Sequence, residues 1–259
     1  MANEELILHT RSLSKDFRGF TAVNGVDLRV ARGSIHALIG PNGAGKTTCF
    51  NLLTRFLPAT RGSIFFNSVD ITGFRPQDVA RRGLVRSFQI SSVFAQMSVL
   101  QNVRIALQRP TGLSYQFWRS DRVLQRLDER ARQLLDEVGL AADAERRTVE
   151  LPYGRKRALE IATTLAAEPE LMLLDEPTQG MGHEDVGRIT ELIRRVAVGR
   201  TVLMVEHNMG VVAGLCGRIT VLARGSVLAE GSYAEVSTNP AVLEAYMGDP
   251  EAALAEGAH

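Results

Sequence analysis

A glycine-rich run near residue 40 has the spacing of a phosphate-binding loop. It matches the pattern G-x-x-x-x-G-K-[ST] and follows a predicted strand at residues 34–39. The glycines let successive backbone N–H groups point at phosphate oxygens, and the N-terminus of the following helix adds positive charge. In this pattern Lys46 bridges the β- and γ-phosphates of a nucleotide, and the Thr47 hydroxyl ligates Mg²⁺. The run consists of Gly40, Pro41, Asn42, Gly43, Ala44, Gly45, Lys46, Thr47 and Thr48.

Two carboxylates follow a second apolar segment. Residues 171–174 are all apolar, as expected for a central parallel strand buried on both faces, and Asp175 and Glu176 come directly after them. Asp175 can hold Mg²⁺ through water, and Glu176 can polarise an attacking water as a general base. The alternative is a strand that simply ends in acidic residues where it meets solvent. The phosphate loop favours the catalytic interpretation.

Three further side chains could reach a bound nucleotide. His207 follows the apolar run 202–205 and could donate to the γ-phosphate, although a single histidine at a strand end is more often only exposed. Gln89 lies where the core gives way to helices, and its amide could reach Mg²⁺ or the lytic water; a surface glutamine is the alternative. Phe17 could stack on adenine through its π-face or merely pack at a strand end.

Composition and charge restrict the classes of function. The 259 residues can form one large domain or two modest ones, and 45% of them are hydrophobic. Thirty Lys and Arg residues nearly balance 29 Asp and Glu residues, so the net charge of +1 indicates neither nucleic acid nor an anionic membrane as partner. Two cysteines cannot form a disulfide framework and fit a reduced cytosolic compartment. No apolar run approaches the ~18 residues of a membrane span, so we expect any membrane role to come through a partner.

Short β-rich runs alternate with helical patterns along the chain. Between Asp121 and Val138 the apolar residues recur in steps of three and four, which predicts an amphipathic helix capped by Gly139. We therefore predict an α/β core at about residues 1–89 and 158–248, a helical insert at about 90–157, and a flexible tail at 249–259. The predicted strands are residues 6–9, 26–30, 34–39, 63–66, 171–174, 202–205, 219–222 and 227–229.

In this order the motifs resemble the nucleotide-binding subunit of ATP-binding-cassette (ABC) transporters. The resemblance extends from Leu6 to about Gly248, and it depends on five separated motifs: Phe17, the phosphate loop, Gln89, residues 151–157 together with 171–176, and His207. Several further segments are similar to the branched-chain amino-acid uptake branch of this family. They are residues 85–89, 94–102, 112–122, 159–162, 205–209 and 239–248.

The resemblance implies a fold, a reaction and a set of partners. The fold is a single α/β ABC ATPase domain, with a P-loop NTPase (RecA-like) core, an antiparallel β part and an inserted α-helical subdomain. The chain would bind and hydrolyse ATP with Mg²⁺. Two ATPase subunits would pack head-to-tail, with ATP between the phosphate loop of one and the signature turn of the other. Closure of this dimer would move two transmembrane permeases, which receive their substrate from a substrate-binding protein. The ATPase subunits would lie at the cytoplasmic face of the inner membrane, bound to the permeases.

The signature turn departs from the usual Leu-Ser-Gly-Gly-Gln of the family. Residues 151–155 read Leu-Pro-Tyr-Gly-Arg, so Pro152 and Tyr153 replace the serine and the first glycine, while Gly154 is retained and Arg155 replaces glutamine. The serine hydroxyl that would donate to the partner's γ-phosphate is therefore missing. The basic residues 155–157 either supply compensating charge or form a solvated helix face.

A second departure lies after the carboxylates, where Gly182 occupies a position at which the family usually has an aspartate that communicates across the dimer. Both departures affect the surface that this chain offers to its partner, whereas Lys46, Thr47, Asp175, Glu176 and His207 are intact. We therefore predict an asymmetric heterodimer with a second ABC ATPase, with a homodimer as the alternative.

Two other functions fit a single ABC cassette. One is the ATPase of another ABC system, such as a lipid or polysaccharide exporter. The other is a non-transport ABC ATPase that acts on nucleic acid, but such proteins usually carry basic tracts, zinc modules or two cassettes. The balanced charge and the single cassette indicate that nucleic acid is not a partner.

Overall fold

Two β-sheets organise the residues that this computed structural model describes, 5–87, 93–108 and 121–247. The strands are β1 (Leu6–Phe17), β2 (Phe20–Val26), β3 (Arg29–Ala31), β4 (Ile35–Ile39), β5 (Arg61–Phe66), β6 (Val69–Asp70), β7 (Leu84–Arg86), β8 (Leu171–Asp175), β9 (Thr201–Val205), β10 (Arg218–Ala223) and β11 (Ser226–Gly231). The helices are α1 (Lys46–Leu53), α2 (Pro76–Arg81), α3 (Val99–Gln108), α4 (Asp121–Glu137), α5 (Tyr153–Leu165), α6 (His183–Val196), α7 (Met209–Leu215), α8 (Tyr233–Ser237) and α9 (Pro240–Met247).

The larger sheet has the strand order β11-β10-β4-β9-β8-β7. All of its neighbouring strands are parallel except β10 and β11, which form an antiparallel pair at one edge. In the registers, Leu38 of β4 and Asp175 of β8 both pair with Val205 of β9. The segments that follow β4, β8 and β9 therefore leave the sheet at the same edge, where ligands bind in open α/β sheets.

The wholly apolar sequence of β8 follows from burial on both faces. Leu171 and Leu173 belong to a core that includes α1 and the antiparallel sheet, whereas Met172 and Leu174 belong to a second core that includes α3 to α7. Because side chains of a strand alternate between the two faces, both sets of positions must be apolar. The prediction of a buried central strand is confirmed.

The antiparallel sheet contains β2, β1, β5 and β6 in that order, with β3 also paired to β1. The prediction of one strand over residues 26–30 is wrong, because β2 ends at Val26 and β3 begins at Arg29. The buried Thr10 explains the interruption, since its hydroxyl donates to the Val26 carbonyl oxygen and accepts from the Leu28 N–H. The Thr10 side chain thus makes two hydrogen bonds to the backbone at this point, beside the one that the Thr10 N–H donates to the Leu28 carbonyl oxygen.

Helices α3, α4 and α5 pack against one another beside the parallel sheet. The predicted amphipathic helix is confirmed as α4, and Gly139 follows it with φ +74°, a left-handed conformation suited to a helix C-terminus. The division between core and insert stays a prediction. Helix α5 runs through the proposed boundary after residue 157, and side chains from both parts share one apolar core. No helix in the described ranges is long and apolar enough to cross a bilayer.

A buried histidine makes the core sensitive to acid. His36 of β4 is fully buried, and its Nε2 lies 2.8 Å from Thr220 Oγ1 of β10. Burial, and next the charge of Arg218, lowers the pKa of His36 from 6.5 to about 4. Between these pH values the unfolded chain binds a proton that the folded chain does not. The free energy of unfolding therefore falls as the pH drops from 6.5 to 4, by about 3 kcal/mol from this group.

We expect His36→Gln to flatten this part of the stability profile, because glutamine keeps a hydrogen-bonding group but has no proton to bind. Urea unfolding at pH 7 and pH 4.5 measures the effect. The control is Val198→Gln, since Val198 is exposed and its replacement removes no titrating group, so it should leave the slope unchanged. The prediction is contradicted if the His36 variant and the unmodified chain lose the same free energy of unfolding between pH 7 and pH 4.5.

Candidate functional site

The phosphate loop connects β4 to α1 and can be built only with glycine at two of its positions. Gly40 has φ +150°, and a Cβ atom there would lie 2.1 Å from the Leu222 carbonyl oxygen. Gly45 has φ +99°, and its Cβ would lie 2.4 Å from the Ala22 carbonyl oxygen. Both contacts are with backbone, so a larger residue would displace β10 or β2. The loop is thus pressed against its neighbours at both ends.

The ammonium group of Lys46 lies inside the curl of this loop. Lys46 is buried, and its Nζ donates to the carbonyl oxygens of Gly40 at 2.5 Å and Pro41 at 3.0 Å. Thr47 follows on the first turn of α1 and is exposed. The loop therefore carries a positive charge and a hydroxyl at the N-terminus of a helix, which suits an anion.

The predicted magnesium ligand Asp175 forms an ion pair in this structure. Its Oδ2 accepts a short hydrogen bond from Arg86 Nη2, and Arg86 Nη1 donates to Asn51 Oδ1 of α1 at 2.5 Å. Both members of the pair are largely buried. Arg86 thereby connects the ends of β7 and β8 to the helix that follows the phosphate loop. The sequence analysis missed this residue, although an arginine at the end of an apolar strand next to Gln89 could have drawn attention to it.

Glu176 and His207 lie next to each other at the edge of the sheet. His207 Nε2 is 3.0 Å from Glu176 Oε1, and both side chains are partly exposed. Glu176 has φ +46°, a left-handed conformation that costs a residue other than glycine about 1 kcal/mol or more, and its N–H donates to the Val205 carbonyl oxygen. The predicted general base and the predicted γ-phosphate donor are therefore in direct contact.

A third carboxylate, Glu206, binds both the loop after Glu176 and the loop that carries His207. It is buried and accepts four hydrogen bonds: Oε1 from the N–H and hydroxyl of Thr178, and Oε2 from the N–H groups of His207 and Asn208. The loop after Glu176 and the loop that carries His207 are thus fastened to one side chain. The sequence analysis did not single out Glu206, although an acid at the end of a buried strand, beside a candidate histidine, was a usable signal.

The signature turn lies where α5 begins. Pro152 is its N-cap residue, and the exposed Tyr153 donates its hydroxyl to the Gln179 carbonyl oxygen at 3.2 Å. Gly154 is buried, and a Cβ there would lie 2.9 Å from Asp185 Cγ of α6. The retained glycine therefore leaves room for the carboxyl group of the Asp185 side chain, apart from any role towards phosphate.

The basic residues after the turn have different surroundings. Arg155 is half-exposed and pairs with the buried Asp143 through a short contact. Lys156 is partly exposed, whereas Arg157 is buried and forms an ion pair with Glu160. Neither expectation for the basic run as a whole, compensating charge or a solvated helix face, applies to Arg157. Its buried side chain is missed by sequence reasoning because it points towards the sheet.

The remaining predicted residues are Phe17 and Gln89. Phe17 is 44% exposed at the tip of the β1–β2 hairpin, and Lys15 Nζ lies 5.2 Å from the centre of its ring. Ala22 of the same hairpin contacts Gly45 of the phosphate loop. Stacking of Phe17 on adenine stays a prediction. Gln89 lies outside the described residues, so its role stays a prediction also.

A phosphate loop between β4 and α1, together with an Asp-Glu pair at the end of the parallel strand β8, which is separated from β4 only by β9, defines the class of P-loop nucleotide hydrolases. Residues 23–179 match the ABC transporter family, and residues 226–252 match a family described as branched-chain amino acid ATP-binding cassette transporter. The first match covers more than half of the chain. The chain belongs to the ABC transporter ATP-binding family, whose members bind and hydrolyse ATP.

Individual relatives agree with this assignment. The chain is 38% identical over 250 residues to the high-affinity branched-chain amino acid transport ATP-binding protein LivG of Salmonella typhimurium, covering 94% of this chain and 98% of the relative. It is 36% identical over 253 residues to BraF of Pseudomonas aeruginosa, with the same coverage. A solved structure, the ADP conformation of MJ1267, an ATP-binding cassette of an ABC transporter, has a TM-score of 0.84 at 29% identity, covering 94% of this chain and 99% of that chain. These similarities confirm the predicted fold class.

We expect Glu206→Gln to destabilise the folded chain by about 2–4 kcal/mol, because the amide would turn an NH₂ group towards donors that now meet a carboxylate oxygen. Urea unfolding measures the change. The control is Glu191→Gln on α6, where an exposed ion pair with Arg194 contributes little. A Glu206 variant that unfolds at the same urea concentration as the control would show that the four hydrogen bonds contribute little.

Proposed function

We propose that the chain is the ATP-hydrolysing subunit of an importer for branched-chain amino acids or related small polar compounds. The observation that carries the catalytic part is the contact between Glu176 and His207 at the sheet edge that also bears the phosphate loop. The substrate class is supported by the relatives, which are named as branched-chain amino acid transport proteins, and by the match of residues 226–252.

The side chains near the loop suit Mg²⁺ bound together with a nucleotide. Thr47 and Asp175 offer a hydroxyl and a carboxylate, the oxygen ligands that Mg²⁺ prefers, and the sequence analysis adds Gln89. Among the described residues there is no cluster of three or more His, Cys, Asp or Glu side chains that could hold a metal by itself. This donor set fits an ion held largely by phosphate oxygens and water. When bound, Mg²⁺ would neutralise charge on the β- and γ-phosphates.

The residues of this chain have separate roles in the proposed reaction. The loop N–H groups and Lys46 bind the phosphates and hold the γ-phosphorus in place. Glu176 accepts a proton from water as the water oxygen bonds to phosphorus and the bond to the ADP oxygen breaks. His207 donates to the γ-phosphate and, through its contact with Glu176, keeps the carboxylate oriented. Phe17 stacks on the adenine ring.

The partner's nucleotide would meet the signature turn of this chain, residues Pro152, Tyr153, Gly154 and Arg155. Pro152 has neither an N–H nor a hydroxyl to donate, so we propose that this turn completes the partner's site poorly. The assembly would be a heterodimer with a second ABC ATPase, bound to two permeases that receive cargo from a substrate-binding protein. The chain would then lie at the cytoplasmic face of the inner membrane.

We expect Glu176→Gln to retain ATP binding but to lower turnover by roughly 10²-fold or more, the scale of a lost general base. Phosphate release by the assembled complex and binding of a fluorescent ATP analogue measure the two quantities. Glu184→Gln, an exposed acid on α6, serves as the control. Near-normal turnover in the Glu176 variant would remove this residue from the mechanism.

We expect Pro152→Ser combined with Tyr153→Gly to raise hydrolysis in the complex with the second ATPase, because it restores a serine hydroxyl towards the partner's nucleotide. Tyr153→Gly alone is the control, since it removes the hydrogen bond to Gln179 without adding the serine. ATP hydrolysis by the unmodified chain alone should also rise when the second ATPase is added, since the partner would supply its own signature turn. If the double variant hydrolyses ATP no faster than the unmodified chain, both as a homodimer and with the second ATPase, the signature turn is not what limits hydrolysis.

A further inference from the structure

Arg157 makes an unusual set of contacts with the segment that bears the proposed general base. It lies one turn into α5 and is only 5% exposed. Its Nη2 donates to the carbonyl oxygen of Glu176 at 2.5 Å and of Asp175 at 3.3 Å, and its Nε donates to that of Pro177 at 3.0 Å. One guanidinium thus binds three consecutive carbonyl groups where β8 leaves the sheet.

The charge of Arg157 is balanced within the same helix. Its Nη1 lies 2.6 Å from Glu160 Oε2, one turn further along α5, and the carboxylate is also buried. Burial raises the pKa of the Glu160 carboxyl, while Arg157 acts in the opposite direction. A buried charge is costly unless it is paired and hydrogen-bonded, so the two side chains depend on each other. Because Glu160 pairs with Nη1 of Arg157, the Nε and Nη2 groups of the same guanidinium are directed at the carbonyl groups.

The bound carbonyl groups belong to a segment whose backbone needs support. Glu176 lies between Asp175 and Pro177 and has the left-handed φ of +46°. Such a conformation persists in a residue other than glycine only where surrounding contacts hold it. The N–H of Glu176 is held by β9, and its carbonyl oxygen by Arg157 and the Gln179 N–H. A planar guanidinium can bind several acceptors in fixed directions, which a lysine ammonium does not reproduce.

We propose that Arg157 is a positioning residue that fixes the backbone of Glu176 and thereby keeps its carboxylate beside His207. Helix α5 begins at the signature turn, which is the surface proposed to face the partner subunit. Arg157 of this helix therefore connects that surface to the backbone of Glu176 in this chain's own site. A displacement of the N-terminus of α5 reaches the backbone of Glu176 through one residue. This inference rests on the proposed role of Glu176 as general base.

Arg157→Lys tests the proposal in the assembled transporter, because lysine keeps the charge beside Glu160 but lacks the planar guanidinium that binds several carbonyl groups. We expect kcat to fall by about ten- to a hundredfold, as misplacement of a catalytic group can cost. The KM for ATP and the affinity for the fluorescent ATP analogue should stay within about twofold. In the Glu176→Gln background, Arg157→Lys should change the residual rate less than about twofold, since the effect acts through that carboxylate.

Arg200→Lys is the matched control. Arg200 also donates to a carboxylate, on Glu137, and to a carbonyl group, on Val196, but it lies away from the site. It should leave kcat unchanged. If Arg157→Lys does not fold, Glu160→Gln takes its place, with an expected two- to tenfold fall in kcat at unchanged ATP affinity.

The proposal is overturned if Arg157→Lys, or Glu160→Gln in its place, retains kcat while Glu176→Gln is impaired. It is also overturned if Arg157→Lys lowers ATP affinity and thermal stability along with kcat, which indicates a general structural role. A further tenfold loss in the Glu176→Gln background excludes action through Glu176. Near-normal turnover in Glu176→Gln instead defeats the proposed mechanism itself, and this inference with it.

Discussion

Parallel pairing of β4, β9 and β8 is the constraint on which the rest of the site depends. Parallel neighbours end at the same edge of a sheet, so the phosphate loop, the Asp175–Glu176 pair and His207 emerge together although they are far apart in the sequence. Such an arrangement requires strands buried on both faces. The apolar sequences of β8 and β9 provide them, and they leave polar residues only where the strands end.

Most of the buried charge lies around this edge, the exception being Asp143, which pairs with Arg146 and Arg155 among the helices. Among the residues whose side chains the structure describes, the buried Lys, Arg, Asp and Glu side chains are Lys46, Asp143, Arg157, Glu160 and Glu206. Each has a partner close by: loop carbonyl groups, an arginine, a carboxylate or backbone N–H groups. Because an unpaired buried charge is costly, these partners hold the loops in one arrangement. The same contacts that make burial tolerable therefore also order the site.

Much of the site was predictable because its signals are local. The phosphate loop is a short pattern whose glycine positions follow from backbone conformation, and the carboxylates and His207 directly follow apolar strands. The strand at residues 26–30 was predicted wrongly, because the hydroxyl of Thr10, far away in sequence, interrupts the ladder there. Arg157 of the basic run was also misjudged, since periodicity alone does not tell which arginine of a helix points at the sheet.

The sequence by itself determined the chemistry available to this chain: a loop for phosphate, two acids, a histidine and an altered signature turn. The tertiary structure alone decided how these groups are held. It pairs Asp175 with Arg86, fastens two loops to Glu206, and brings Arg157 of α5 to the backbone of Glu176. The reason is physical, since residue types and spacing act along the chain. Contacts between a helix and a strand end depend instead on how apolar faces pack, which brings together residues that no local pattern relates.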